Sequence, residues 1–351
     1  MSQRMRLDDL DYHLPPELIA QHPAARREDA RLLVVERRTG ALHDTRVAAL
    51  GAWLRPGDAL ALNETRVRPA RLELLRSATH GRVEILVVRP ASSAAEGAVW
   101  RVLARPAKRV REGERLETPD GSLEIEVVGS GADGERVVRV TRGDLARTLG
   151  ERGDLALPPY IHHAPGPADR ERYQTVFARV EGAIAAPTAG LHFTDELLRA
   201  LGSQGIAIAR TLLHVGPGTF RPITSGDQAA HRMDEEYYEV PAEAATALTG
   251  ARAAGGRIVA VGTTVVRALE SACDAHDGRL AAAGGWTRKY ILPPYSFRGV
   301  DALLTNFHLP RTTLLLLVAA FAGEGVMKRA YAHAVAGGYR FYSYGDAMLV
   351  V

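Results

Sequence analysis

The chain has 351 residues, 46% hydrophobic and 24% charged, with a formal net charge of +3. That length supports two domains and a sizeable core, the composition is that of an ordinary globular protein, and the near-neutral charge does not announce a nucleic-acid binder. Cys273 stands alone, which excludes an intramolecular disulfide and a multi-cysteine zinc site. Lysine occurs only at 108, 289 and 328, so arginine carries nearly all the positive charge. The first residues lack the apolar stretch of a secretory signal, and the longest apolar run, Leu314 to Ala322, is too short to span a bilayer. The expectation is a soluble, cytoplasmic protein.

In chain order, Arg31–Glu36 reads as a buried strand, Arg38-Thr39-Gly40 as a turn, and Ala59–Leu62 as a further strand after the Pro56-Gly57-Asp58 turn. From Arg66 to Leu157 the texture changes to short alternating strands, among them Val83–Val88, Leu123–Val128 and Arg136–Val140. Turns rich in Gly, Asp and Ser separate them. Beyond Pro158 the pattern becomes strand, loop and helix. Thr194 is placed to cap a helix opening with Asp195 and Glu196. Ile258–Val261 is a strand that Gly262-Thr263-Thr264 turns into a helix over Val265–Ala272. Ala302–Phe307 is another strand, followed by a helix over Leu314–Ala322. The fold class expected is α/β: a discontinuous main domain from 1–65 and 158–351, interrupted at 66–157 by a small antiparallel β-barrel.

Three histidines, His192, His214 and His308, each lie in a short Gly-, Pro- or Thr-containing loop where an apolar segment ends. A neutral imidazole titrates near working pH, so these are candidate acids or bases assembled into one site, although any one of them could be a satisfied core residue. No H-E-x-x-H or clustered Cys/His spacing supports zinc. Gly262-Thr263-Thr264 offers backbone N–H groups and two hydroxyls at a strand-to-helix junction, suited to an anionic or polar group; a plain capped helix explains it as well. His162-His163 reads as solvated. The run Arg101–Arg111 holds five positive charges and no acid, consistent with phosphate contact or with a guarded sheet edge. Tyr339–Asp346 could stack a base or form a strand packing one face. Neither a G-x-S-x-G elbow nor a P-loop occurs.

Together these segments closely resemble the S-adenosylmethionine:tRNA ribosyltransferase-isomerase family. The resemblance runs nearly end to end, through Leu14–Pro23, Leu62–Val67, Arg105–Arg109, Glu171–Val176, Ala185–Phe193, the His214 and His308 loops, and Ser343–Met348. It implies transfer and isomerisation of the ribosyl part of S-adenosylmethionine onto 7-aminomethyl-7-deazaguanine at the wobble position of tRNAs with a GUN anticodon. Adenine and methionine would leave and epoxyqueuosine would result, without metal or tightly bound cofactor, in a monomer.

On that resemblance His192 and His214 are expected to share acid–base work and His308 to hold substrate. Arg267, Glu270, Asn306 and Asp346, with Thr188, Gly190, Thr219, Gly262, Thr263 and Thr264, become candidate S-adenosylmethionine contacts. Arg66, Arg105, Lys108 and Arg109 become candidate tRNA contacts. The sequence departs from the family pattern at Glu64 (usually Asp), Pro217 (Leu), Val265 (Ser), Ala268 (Thr) and Pro294 (Gly). Val265 and Pro294 motivate one alternative, a diverged relative with another amine acceptor; the basic run and the terminal aromatics would suffice for another, an RNA-binding protein without catalysis.

Overall fold

The computed structural model describes residues 7–91, 99–131, 134–220 and 231–351. The chain divides into two compact units, one built from 1–66, 158–163 and 167–351 and the other from 67–157 and 164–166. In the first, β1 (Arg31–Val35) and β2 (Leu42–Arg46) form an antiparallel hairpin. Gly40, at φ 74°, supplies the left-handed residue its turn needs. β3 (Ala59–Asn63) is buried throughout, and β4 (Thr65–Val67) carries the chain onward.

The second unit is a closed antiparallel barrel. Its strands β5 (Arg71–Arg76), β6 (Arg82–Pro90), β7 (Val99–Arg105), β8 (Arg115–Glu117), β9 (Glu124–Ser130) and β10 (Glu135–Arg142) run in the order β10-β7-β6-β5-β8-β9. Alternation decides what fills it: Val83, Ile85 and Val87 of β6 join Ile125 and Val127 of β9 in a continuous apolar core. Helix α1 (Leu145–Arg152) adds Leu145 and Leu149 to that core, and the Asp144 side chain caps it by accepting from Arg147 N.

The chain re-enters the first unit through α2 (Pro167–Arg172), β11 (Val180–Ala183), α3 (Asp195–Ser203) and β12 (Ala207–Leu213). Next come β13 (Glu236–Val240), α4 (Ala242–Ala253), β14 (Ile258–Val261) and α5 (Thr263–Asp274). β15 (Ala283–Thr287), β16 (Ala302–Asn306), α6 (Thr313–Ala322), α7 (Glu324–Ala336) and β17 (Ala347–Val350) complete it. Nine strands make one sheet, β15-β13-β12-β3-β14-β16-β17-β1-β2. Its central strands β12, β3, β14 and β16 are mutually parallel. Both faces are covered, which is why these strands read as unbroken apolar runs. Leu33, Ala61, Ala260 and Leu303 face the core that includes α4 to α7, while Leu32, Leu62, Val261 and Leu304 face a second core containing residues of α3.

The fold class is the α/β sheet plus inserted barrel expected from the sequence. Two local readings differ. Helix α5 begins at Thr263 rather than Val265, so both threonine hydroxyls belong to its first turn. Tyr339–Asp346 is neither strand nor exposed platform: its four aromatic rings are buried in an irregular segment, where Tyr339 and Phe341 pack on Phe307. Cys273 is buried in the core, and among the described residues no helix is long and apolar enough to cross a membrane.

Asp58 joins the starts of two central strands. Its carboxylate accepts from Arg257 N (2.8 Å), from the Arg257 guanidinium (2.7 Å) and from Arg55 N (2.9 Å). Burial pushes this carboxyl up, but those donors outweigh it and hold it below the ordinary range. Asp58→Ala is expected to cost about 2 to 3 kcal/mol in denaturant unfolding, because Arg257 loses its buried partner; a loss below about 0.5 kcal/mol would contradict that role. Because the folded carboxyl is depressed, its contribution is complete above the ordinary carboxylate range and is lost as pH falls from that range through the depressed value.

Candidate active site

The carboxyl ends of the parallel strands converge on a cavity enclosing about 490 Å3 of space, part of it open to solvent. Open α/β sheets bind ligands at this end, because the strands stop and loops of free geometry begin. Thr188, Gly262, Thr263, Thr264, Asn306 and His308 all line it, brought together from three separate stretches of sequence. Gly262, at φ 97°, makes the strand-to-helix corner that an L side chain would strain.

Asn306 ends β16 inside this cavity. Its Nδ2 lies 3.2 Å from His192 Nε2 and 3.1 Å from Tyr342 O, while its Oδ1 is buried and without a partner among the described residues. An amide nitrogen only donates, so Nε2 of His192 serves here as acceptor. His308 is fixed on three sides: Thr305 Oγ1 lies 2.9 Å from its Nε2, Tyr331 Oη accepts from its backbone N–H, and Tyr12 Oη donates to its carbonyl. Burial pushes His192 down to about 4, with Asp346 opposing and Arg340 and Arg27 reinforcing the shift; burial alone pushes His308 to about 3. Both rings are therefore neutral at pH 7.

His214 stands apart from the cavity wall. Thr65 Oγ1 lies 2.8 Å from its Nδ1, its ring stacks near Tyr237, and it faces Gly182, where an added Cβ would come within 2.5 Å of the imidazole. Its loop is tied down by Glu236, which accepts from Gly216 N at 2.8 Å and is ion-paired in the interior with Arg267. Arg267 also donates to Lys289 O, and its Nη2 is buried without a partner among the described residues.

Several expected contacts are engaged by the fold itself. Glu270 accepts from Arg298 N, Gly299 N and Tyr295 Oη, and burial raises its carboxyl. Asp346 accepts from Arg31 N and Arg340 N. Gly190 is not in the cavity wall; a Cβ there would meet Thr175 and Phe177 at 2.8 and 2.9 Å. The Thr219 side chain lies outside the described residues. Val265 and Ala268, two of the departures from the family pattern, both sit in the apolar core, so neither removes a hydroxyl from the cavity. Glu64 is buried with a two-pronged bond to Arg179, at 2.7 and 3.0 Å. His163, expected in solvent, stacks on His22 at 4.7 Å and lies 3.1 Å from Gln21 O, whereas His162 is exposed.

Sequence reasoning missed three residues of the candidate site, Asn63, Thr305 and Glu236. Asn63 ends β3 as Asn306 ends β16. It accepts from Thr65 N and Leu213 N, and donates to Leu213 O and Thr264 Oγ1. Its signal, a lone amide closing an apolar strand, was present. Thr305 and Glu236 gave no local signal. Tyr342 adopts φ 74°, uncommon for an aromatic residue; it lines the cavity with its hydroxyl buried and unpartnered among the described residues.

In the barrel, Arg105, Lys108 and Arg109 are exposed, and no ion pair engages any of them among the described residues. Lys108 and Arg109 border an open groove with Arg111 and Arg115. β7 is flanked by β6 and β10, so this run has no sheet edge to guard. Arg66, in the first unit, lies 3.8 Å from Glu181. Among the described residues no group of three or more His, Cys, Asp or Glu side chains is arranged to hold a metal.

The chain matches the family model described as queuosine biosynthesis protein over residues 7–350. It is 49% identical over 348 residues to the S-adenosylmethionine:tRNA ribosyltransferase-isomerase of Symbiobacterium thermophilum, covering 99% of this chain and all of that one. Its counterpart of the same name from Syntrophomonas wolfei is 50% identical over 349 residues, covering 99% and 97%. The crystal structure of S-adenosylmethionine tRNA ribosyltransferase from Thermotoga maritima is similar with a TM-score of 0.56 and 37% identity, covering 98% of this chain and all of that one.

Histidine-selective NMR titration is expected to place His192 near 4 and His308 near 3. An imidazole at either position titrating near 6.5 would mean it is hydrated, not buried. Since the unfolded chain takes up these protons first, stability rises with pH from about 3 to about 6.5 and is flat, for these groups, above.

Proposed function

The chain belongs to the queuosine biosynthesis family of S-adenosylmethionine:tRNA ribosyltransferase-isomerases, and from that premise we propose how its cavity serves the reaction. The substrates are S-adenosylmethionine and tRNA carrying 7-aminomethyl-7-deazaguanine at the wobble position of a GUN anticodon. The product is epoxyqueuosine in tRNA, with adenine and methionine released. The protein acts as a cytoplasmic monomer.

The observation that carries this reading is Asn306, whose amide reaches His192 while its carbonyl oxygen stands buried in the cavity wall with no partner among the described residues. A buried acceptor without a donor costs roughly 1 to 3 kcal/mol unless a ligand supplies one. An adenine amino group or a ribose hydroxyl does so. Thr188, Thr263 and Thr264 add hydroxyls, and the first turn of α5 adds backbone N–H groups, for the remaining polar atoms of the adenosyl group.

The chemistry requires a proton to be removed beside the sulfonium, a proton to be given to departing adenine, and water to be excluded. His192 is neutral, buried and accepting, which is the state of a base. To take a proton at Nε2 it exchanges the Asn306 hydrogen bond for substrate. His214, held by Thr65, is the second proton carrier, and His308 shapes the substrate pocket. Arg267, braced by Glu236, holds the His214 loop in register. Arg105, Lys108 and Arg109, together with Arg66, contact tRNA phosphates.

His192→Ala and His214→Ala are each expected to lower turnover by at least about 100-fold with melting unchanged, read as tRNA-dependent adenine release and by nucleoside mass spectrometry. Near-normal turnover in both would remove them from the mechanism. Replacing Arg105, Lys108 and Arg109 by Gln is expected to weaken tRNA binding and reduce its salt slope by about 2, leaving S-adenosylmethionine affinity alone. An unchanged slope would discharge the barrel from tRNA contact.

A further inference from the structure

His192 is not in the wall of the main cavity; it lines a second, smaller cleft of about 270 Å3, part of it open to solvent, whose wall includes Arg27, Arg172, Arg340 and Ser343. Three guanidiniums thus border one small space. Arg27 is held by the carbonyls of Leu191 and Glu171, and Arg172 by those of Ala24 and Ala25. Those neutral acceptors orient the charges without cancelling them. Arg340 has Asp346 at 3.5 Å, but that carboxylate is already engaged by two backbone N–H groups. Arg172 Nε is buried with no partner among the described residues. Arg27 is destabilised first by burial and then by the like charge of Arg172, an arrangement that an anion between them would relieve.

A preorganised cluster of arginines with an orphaned buried donor is built for an oxyanion, since the guanidinium fork matches phosphate or carboxylate. We propose that this cleft is an oxyanion subsite and that it takes a phosphodiester of the RNA substrate beside the nucleotide being modified. The inference rests on the functional reading above. The cleft is small for a nucleoside, and part of its space opens to solvent, where a backbone phosphate can approach the arginines. It is linked to the main cavity through Ser343, which lines both, and through the hydrogen bond between His192 and Asn306. The other oxyanion at hand is the S-adenosylmethionine carboxylate. Three positive charges around one engaged carboxylate favour the phosphodiester, which every RNA substrate brings.

Arg340→Gln is the informative variant, because its side chain is 35% exposed and its bonds are the longest of the three. Binding of substrate tRNA would be measured across a salt series for the full-length wild type, Arg340→Gln and Arg340→Lys, with S-adenosylmethionine affinity by calorimetry and melting temperature in parallel. The expected result is tRNA affinity about 3- to 10-fold weaker in Arg340→Gln at 0.1 M salt and a slope shallower by about 0.7. Arg340→Lys recovers the slope, and S-adenosylmethionine binding is unchanged. An unchanged slope in a folded Arg340→Gln protein overturns the subsite. Loss of S-adenosylmethionine affinity with intact tRNA binding assigns the cleft to the carboxylate and overturns the phosphodiester. Wild-type protein that binds no tRNA fails the functional reading instead. Should Arg340→Gln not fold, the wild type decides alone: inorganic phosphate shifts the His192 imidazole resonance if the subsite exists and leaves it in place if it does not.

Discussion

Everything at the carboxyl end of the sheet depends on where β3 and β12 part company. They run parallel through Thr211 and Asn63, and there the Asn63 side chain takes over from the ladder. It replaces the next backbone bonds by pairing with both the N–H and the carbonyl of Leu213, and it reaches Thr264 at the start of α5. One amide thus fixes the departure of the His214 loop, the entry of β4 and the first turn of the cavity helix. A buried amide with all its partners satisfied is rigid in a way that an apolar residue is not, because rotating it breaks several bonds at once.

A second constraint is electrostatic. The His192 and His308 imidazoles are kept neutral by burial, so in the proposed reaction a cationic sulfonium would meet uncharged nitrogen bases rather than repelling cations. Arg27 and Arg340, which line the smaller cleft with His192, reinforce the neutrality of that ring, and its hydrogen bond to Asn306 joins the cleft to the cavity. His214 has a different environment, half-buried and bound to a hydroxyl, so the three rings that look alike in sequence are chemically unlike in the fold.

The fold was legible because its signals are periodic and local. Strands β1, β3, β14 and β16 are apolar runs of strand length, and the barrel strands alternate. The candidate site could be read only where a residue type and a chain break coincide, as at the His308 loop and Gly262, both of which line the cavity. Asn306 entered through the family resemblance, and Asn63, a lone amide closing an apolar strand, could have been read from the pattern. Glu270 and Asp346 looked like ligands because a carboxylate in a motif resembles one; only the backbone N–H groups they satisfy reveal their engagement. Those partners lie 28 and 29 residues from Glu270, and up to 315 from Asp346. The Arg27–Arg172–Arg340 cluster was invisible for the same reason, since three distant segments supply one charge each.

The contact between Gly182 and the His214 ring has a consequence for how this chain tolerates change. What position 182 contributes is an absence, the space a methyl group would fill, and no side-chain chemistry compensates for losing it. In a saturation library the position would act as a single-residue filter, passing glycine and rejecting small and large, polar and apolar replacements alike. Its neighbours Val180 and Glu181, partly or fully exposed on the same short strand, would be sorted by ordinary preference instead. Drift in this part of the molecule is thereby channelled around one backbone atom.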